Sequence, residues 1–276
     1  MKIEIPTQPS RRQLLTLLGG AGGLGLLALA GCGSGTGSAS AGGAGSHSLA
    51  TTATTGATTS TTAAASNATV TSAVPEETAG PYPGDGSNGP DYLSMNGSVR
   101  SDIRSSLGSS SPVAGVPATV KLTVLDLKNS AKPLTNAGVY LWHCNQIGQY
   151  SMYSQGVTNE TFCRGIQPTD ANGTATFTSI WPGAYSGRWP HIHFEVYPSV
   201  NNATSGSGKL KTSQIALPED ACDVVYASDG YSASIRNMAQ TSLATDMVFR
   251  DGWSQELATA SGTTGNGYTV TLVIGV

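Results

Sequence analysis

The chain has 276 residues, of which 38% are hydrophobic and only 11% charged. Its formal net charge of -3, without a basic cluster, argues against nucleic acid as a partner. Four histidines and four cysteines are the whole stock for imidazole or thiol chemistry, so their placement carries weight.

Reading from the N-terminus, Ser10-Arg11-Arg12-Gln13-Leu14-Leu15 and the Gly/Leu/Ala stretch that runs on to Ala30 form a twin-arginine export signal. That stretch is too short and too glycine-rich for a membrane span, which needs about 20 apolar residues. Leu29-Ala30-Gly31-Cys32 resembles a bacterial lipobox, so residues 1–31 are expected to be removed and Cys32 lipidated. The expected location is the outer face of the cytoplasmic membrane, with the lipid as the one membrane contact; a simply secreted product is the alternative. Residues 32–74 are almost entirely Gly, Ser, Ala and Thr, a composition that cannot bury enough surface to offset its ordering entropy. That segment reads as a flexible stalk, His47 included. One folded domain is expected over residues 75–276, long enough for a sizeable core.

Short strands dominate the domain. Thr119–Asp126 alternates apolar and polar residues with period two, and Ala137–Cys144 does so again, with His143 as a packed strand residue. The turn signal Asp170-Ala171-Asn172-Gly173 precedes a third run, Thr174–Ile180, and Tyr268–Ile274 forms the last. Helix is expected only over Pro218–Tyr226 and Ser232–Gln240. An all-β fold follows, an antiparallel β-sandwich with long loops and little helix. Export would permit disulfides. Of Cys144, Cys163 and Cys222, the first two flank the same segment and are the expected pair, although the odd thiol leaves other pairings open.

The stretch Gly183–Pro198, GAYSGRWPHIHFEVYP, holds two of the four histidines one residue apart. On a strand, side chains two apart share a face with their Cα atoms about 7 Å apart, so His191 and His193 point the same way and can hold one metal ion. No cysteine is near in sequence, which weakens zinc-thiolate and blue-copper sites. Glu195 continues the same face and would complete a two-histidine, one-carboxylate ferrous site. The competing donors are phenols, Tyr185 in the turn Pro182-Gly183-Ala184-Tyr185 and Tyr150 in Gly148-Gln149-Tyr150. With a pKa of about 10, a phenol binds as phenolate only to a strongly polarising cation such as ferric iron.

The run PGAYSGRWPHIHFEVY, preceded by GVYLWHCNQIGQYSMYSQG and RGIQPTDANGTATFTSIWPG, resembles the intradiol ring-cleavage dioxygenases, the protocatechuate and catechol dioxygenase family, and among them the exported single-domain members. The likeness runs from Glu77 to Gln214 and includes ETAGPYPGD, similar to the family's Glu-Gly-Pro-Tyr segment and the source of Tyr82. It implies a non-haem ferric iron, Fe(3+), held by Tyr150, Tyr185, His191 and His193, acting on a small aromatic diol with O2. It also implies that Arg188 steadies charge on the substrate and intermediate, that Tyr150 takes part in catalysis, and that Tyr153, Gln214 and Tyr82 belong to the pocket. Two phenolates and a hydroxide balance ferric iron, so a catechol could bind as a dianion once its protons pass to a phenolate and the hydroxide. The ring would then open between its two hydroxylated carbons to a muconate-type diacid, with no reductant or organic cofactor. The helical dimerisation segment of catechol-type members has no counterpart, and Leu217–Asp251, also outside the likeness, is expected near the site mouth.

Two other readings stand beside this one. The first is a surface-anchored sandwich lipoprotein that binds carbohydrate or wall polymer with a structural metal or none. The second is a ferrous or copper enzyme built on His191, His193 and Glu195.

Overall fold

In a computed structural model, which describes residues 70–276, alternation builds the first sheet. In β1 (Pro117–Asp126), β5 (Thr174–Ile180) and β9 (Gly267–Gly275) every second side chain turns inward: Val120, Leu122 and Val124, then Ala175 and Phe177, then Val270, Leu272 and Ile274. β1 pairs antiparallel with β5 and with the two-residue β2 (Lys132–Pro133), and parallel with β9. β9 in turn carries β8 (Thr259–Thr263) at the edge. The all-β sandwich is present, with the β1–β9 pair as its one parallel ladder among the described strands. The expected signal, Cys32 and His47, and the stalk up to residue 69, lie outside the described residues.

The second sheet runs in the order β4 (Arg164–Pro168), β3 (Gly138–Trp142), β6 (His191–Tyr197), β7 (Lys211–Ala216), antiparallel throughout. Its inner face, with Val139, Leu141, Ile192, Phe194, Val196 and Ile215, packs on the first sheet in one hydrophobic core. The outer face is covered too. Tyr140, Trp142 and Tyr197 cluster there with Tyr92 and Leu93 from the arm before β1, and with Tyr150 and Met152 from the loop between β3 and β4. Every residue of β3 and β6 is therefore buried, and polar side chains on the outer face lie in a covered crevice. At the start of the arm, Val74 N–H donates to Gly275 O at 3.1 Å.

Two helices follow β7: α1 (Glu219–Tyr226) and α2 (Ser232–Met238), at the places the sequence marks. Glu219 and Asp220 occupy the first turn of α1, where negative charge suits the positive end of the helix dipole. Among the described residues, no helix is long and apolar enough to cross a membrane.

The expected Cys144–Cys163 disulfide is not formed; Cys144, Cys163 and Cys222 are buried free thiols. β3 and β4 pair Trp142 with Arg164, and His143 N–H donates to Cys163 O at 3.1 Å, so Cys163 lies across from His143. Its neighbour Cys144 turns to the other face, into the outer cluster, while Cys163 packs with Phe162 and Ile180. Cys144 Sγ donates to Gly183 O at 3.2 Å instead.

Candidate metal centre

His191 and His193 open β6 on the covered outer face, their Nε2 atoms 3.2 Å apart. His191 Nδ1 sits 2.5 Å from Trp189 O. A carbonyl only accepts, so Nδ1 carries the proton and Nε2 presents its lone pair. His193 lies between Trp142 and Gln214 in the register, and its ring stacks on the Trp142 indole with centroids 4.9 Å apart and planes 6° apart. Its Nδ1 is buried without a partner, so the stack fixes this ring.

Two loops bring up phenols. Between β3 and β4, Asn145 Oδ1 accepts from Ile147 N–H at 3.1 Å and Gln149 N–H at 2.9 Å, and Tyr150 N–H donates to Ser154 Oγ at 2.9 Å. Gly148 has φ +85°, and a Cβ there would stand 3.2 Å from Tyr185 Cβ, so glycine lets the two loops touch. Between β5 and β6, the Tyr185 loop is held by the helices. Tyr226 OH donates to Pro182 O at 3.1 Å, Ala184 N–H donates to Ser234 Oγ at 3.0 Å, and Asn237 Nδ2 donates to Ala184 O at 2.8 Å. Tyr185 OH then lies 3.1 Å from His191 Nε2, and Tyr150 OH lies 3.4 Å from that nitrogen and 3.5 Å from Tyr185 OH.

Two phenol oxygens and two imidazole nitrogens thus surround one point. Among the described residues, no three His, Cys, Asp or Glu side chains gather in this way, so a metal here depends on the phenols. Glu195 does not join: its carboxylate is taken by Lys209 Nζ at 2.6 Å and by Tyr197 OH at 2.6 Å. Burial pushes the Tyr185 phenol up to about 12 and Tyr150 well above its ordinary value. Burial also drives His191 down to about 3 and His193 well below the usual imidazole range. Neutral imidazoles are ready ligands, whereas the phenols ionise only beside a strongly polarising cation. The donor set therefore fits a hard, highly charged metal ion.

Arg188 follows Gly187 in the same loop as Tyr185. Its Nε donates to Asp246 Oδ2 at 2.9 Å and its Nη2 to Gln214 Oε1 at 2.7 Å. Gln214 Nε2 continues the chain to Thr78 O at 2.9 Å. Asp246 also accepts from Trp189 N–H at 2.6 Å and from Val248 N–H at 2.8 Å, so one carboxylate joins the arginine loop to the C-terminal segment.

A cavity of about 590 Å³ opens over the cluster, lined by Tyr150, Tyr185 and Arg188 and walled by Thr78, Pro81, Tyr82, Ser154 and Met247. Tyr82 lies against Tyr150, ring centroids 5.0 Å apart. The fold thus brings together Tyr150, Tyr185, His191, His193, Arg188 and Tyr82, with Gln214 held on Arg188 rather than lining the cavity, and Met247 carries part of Leu217–Asp251 to the mouth. Tyr153 is a correction. It does not line the cavity, because its OH is held by Gly84 N–H at 2.8 Å and by Asn88 O at 3.2 Å, which braces the arm.

Sequence reasoning missed Asp246, Met247 and Arg164. Arg164 is fully buried and joins the two walls: Nη1 donates to Pro83 O at 2.8 Å, Nη2 to Tyr82 O at 2.9 Å, and Nε to Ser151 Oγ at 3.0 Å. No local pattern signals either charged residue, since their partners are distant in sequence.

A protein-family model described as Dioxygenase matches residues 87–227, a little over half of the chain. The fold resembles that of an intradiol ring-cleavage dioxygenase from Tetranychus urticae, with a TM-score of 0.56 and 24% identity over 74% of this chain and 94% of that one. A second dioxygenase crystal structure is alike at a TM-score of 0.57 and 24% identity, covering 74% of this chain and 93% of that one. Catechol 1,2-dioxygenase 2 of Acinetobacter lwoffii is 42% identical over 55 residues, which is 20% of either chain. The chain thus matches only about a fifth of the length of that curated relative. It belongs to the intradiol ring-cleavage dioxygenase family. Membership favours an oxidoreductase over a glycan-binding sandwich.

Proposed function

We propose that this protein is a ferric intradiol dioxygenase that opens catechol-type aromatics between their two hydroxylated carbons and adds both atoms of dioxygen to give muconate-type diacids. The observation that supports this most is the convergence of Tyr150, Tyr185, His191 and His193 at 3.1–3.5 Å beneath the cavity. Ferric iron held by those four residues would supply a Lewis-acidic anchor for the two catechol oxygens. Of the two protons the incoming diol gives up, one would pass to Tyr150, ionised to phenolate beside the bound cation, and the other to hydroxide. Arg188, kept in place by Asp246 and Gln214, stabilises negative charge as it develops on the ring oxygens in a partly desolvated pocket. The rings of Tyr82 and Tyr185 shield that charge from water. The electrons that reduce dioxygen come from the catechol itself, so the balance needs no further reductant.

Protein purified from iron-supplied cells is expected to be red-brown from phenolate-to-iron charge transfer, with stoichiometric iron and oxygen uptake on catechol. A colourless preparation holding stoichiometric zinc, inert toward every catechol, overturns the reading. We also propose export and a lipid on Cys32, supported by the twin-arginine and lipobox-like sequence. Incorporation of a labelled fatty acid should vanish on Cys32→Ser, and an unlabelled parent protein would refute it.

A further inference from the structure

Resting on the ferric intradiol reading, we infer that the cavity is built for uncharged catechols carrying an apolar substituent, and that it disfavours catechols bearing a ring carboxylate. With the two diol oxygens at the donor cluster, a substituent on the far side of the ring points to the mouth. The mouth is made by Pro81, by Tyr82 at 37% exposure and by Met247 at 67% exposure, all uncharged. Met247 is the apolar wall that such a substituent meets, and its position is set by the buried Asp246 and Val248 on either side.

The charges in the pocket point the same way. Arg188 is the one charged side chain among the lining residues. Its guanidinium is already matched by Asp246 at 2.9 Å and further engaged by Gln214 at 2.7 Å. The charged residues that flank the lining in sequence are acidic, Glu77 beside Thr78 and Asp246 beside Met247. A ring carboxylate at the mouth would meet no cation among Pro81, Tyr82 and Met247, with Arg188 engaged by Asp246, Gln214 and the charge on the diol oxygens, and a partly desolvated charge without a partner costs far more than a methyl group in its place. The volume of about 590 Å³ leaves space beyond a single six-membered ring and falls in the range of about 300–1,000 Å³ that holds drug-sized ligands.

The probes are catechol, a para-methylcatechol, a para-tert-butylcatechol and protocatechuate, compared by oxygen-uptake kinetics and by anaerobic equilibrium dialysis. The alkyl catechols should equal or exceed catechol in kcat/KM, and protocatechuate should fall about 100-fold or more below it and bind more weakly. Met247→Arg, which places a cation at the rim, should raise the protocatechuate-to-catechol ratio of kcat/KM by about tenfold or more. Equal or better use of protocatechuate by the unaltered protein overturns the inference and leaves the ferric intradiol reading standing. Absence of colour and of ring cleavage with every probe overturns both.

Discussion

Tyr185 and Tyr153 differ in what their hydroxyls touch, and the difference is testable. Tyr185 OH lies 3.1 Å from His191 Nε2 at the donor cluster. Tyr185→Phe should therefore shift or bleach the visible band and lower turnover by orders of magnitude while the fold persists, as followed by absorbance, oxygen uptake and circular dichroism. Tyr153→Phe removes two hydrogen bonds to the arm and should cost about 1 kcal/mol in denaturant unfolding with a far smaller effect on turnover. Asp246→Asn keeps an acceptor for Val248 but turns an amide toward Arg188, so the guanidinium loses both charge partner and position. Turnover should drop up to about 100-fold, with iron content unchanged and kcat moving more than KM. His191 and His193 were legible because strand periodicity alone puts them on one face. Asp246 was not, because its partner Arg188 stands 58 residues away and only the fold brings them together.

The arm before β1 touches the strand β6 closely at one point. Gly80 has φ +70°, and a Cβ on it would stand 3.2 Å from His193 Cε1. Gly80→Ala should strain the arm by about 1 kcal/mol and displace the His193 ring. Iron content and activity should then fall by more than the small drop in melting temperature would account for. The arm also explains which strands could be read. β1, β5 and β9 alternate in sequence because each keeps a wetter outer face, and β6 was marked by its histidines. β7 reads KTSQIA, nearly all buried, with Ser213 and Gln214 accommodated by polar partners on opposite faces and the Thr212 hydroxyl buried without one, so no alternation survives. β8, TASGT, is an exposed edge of small residues, and β4, RGIQP, is short and holds both Gly and Pro. The β1–β9 pairing was hidden for a different reason: a parallel ladder between the first strand and the last leaves no local mark.

At the scale of the whole molecule, stability should depend on pH through Glu256. This residue is fully buried, its Oε1 accepts from Ser213 Oγ at 3.0 Å, and its Oε2 has no partner. Burial pushes its carboxyl up from 4.5 to about 8. Below 4.5 the folded and unfolded chains both hold the proton; between 4.5 and about 8 the unfolded chain gives it up while the folded chain keeps it. Stability from this group is thus full at the acid end and lost as the pH rises through that window. Denaturant midpoints measured at both ends should show Glu256→Gln gaining on the parent as the pH increases, and a pH-independent difference would refute the assignment. The hydrogen bond between Val74 and Gly275 has a topological consequence. The beginning and the end of the sandwich are neighbours, so a short glycine bridge from Val276 to Val74 could close the backbone into a ring, and the ring could be reopened at Gly265, where a Cβ would meet nothing within 4 Å. Such a permuted chain would start with β9 and still pass unbroken through both tyrosine loops and β6, so it should take up iron and turn red-brown like its parent.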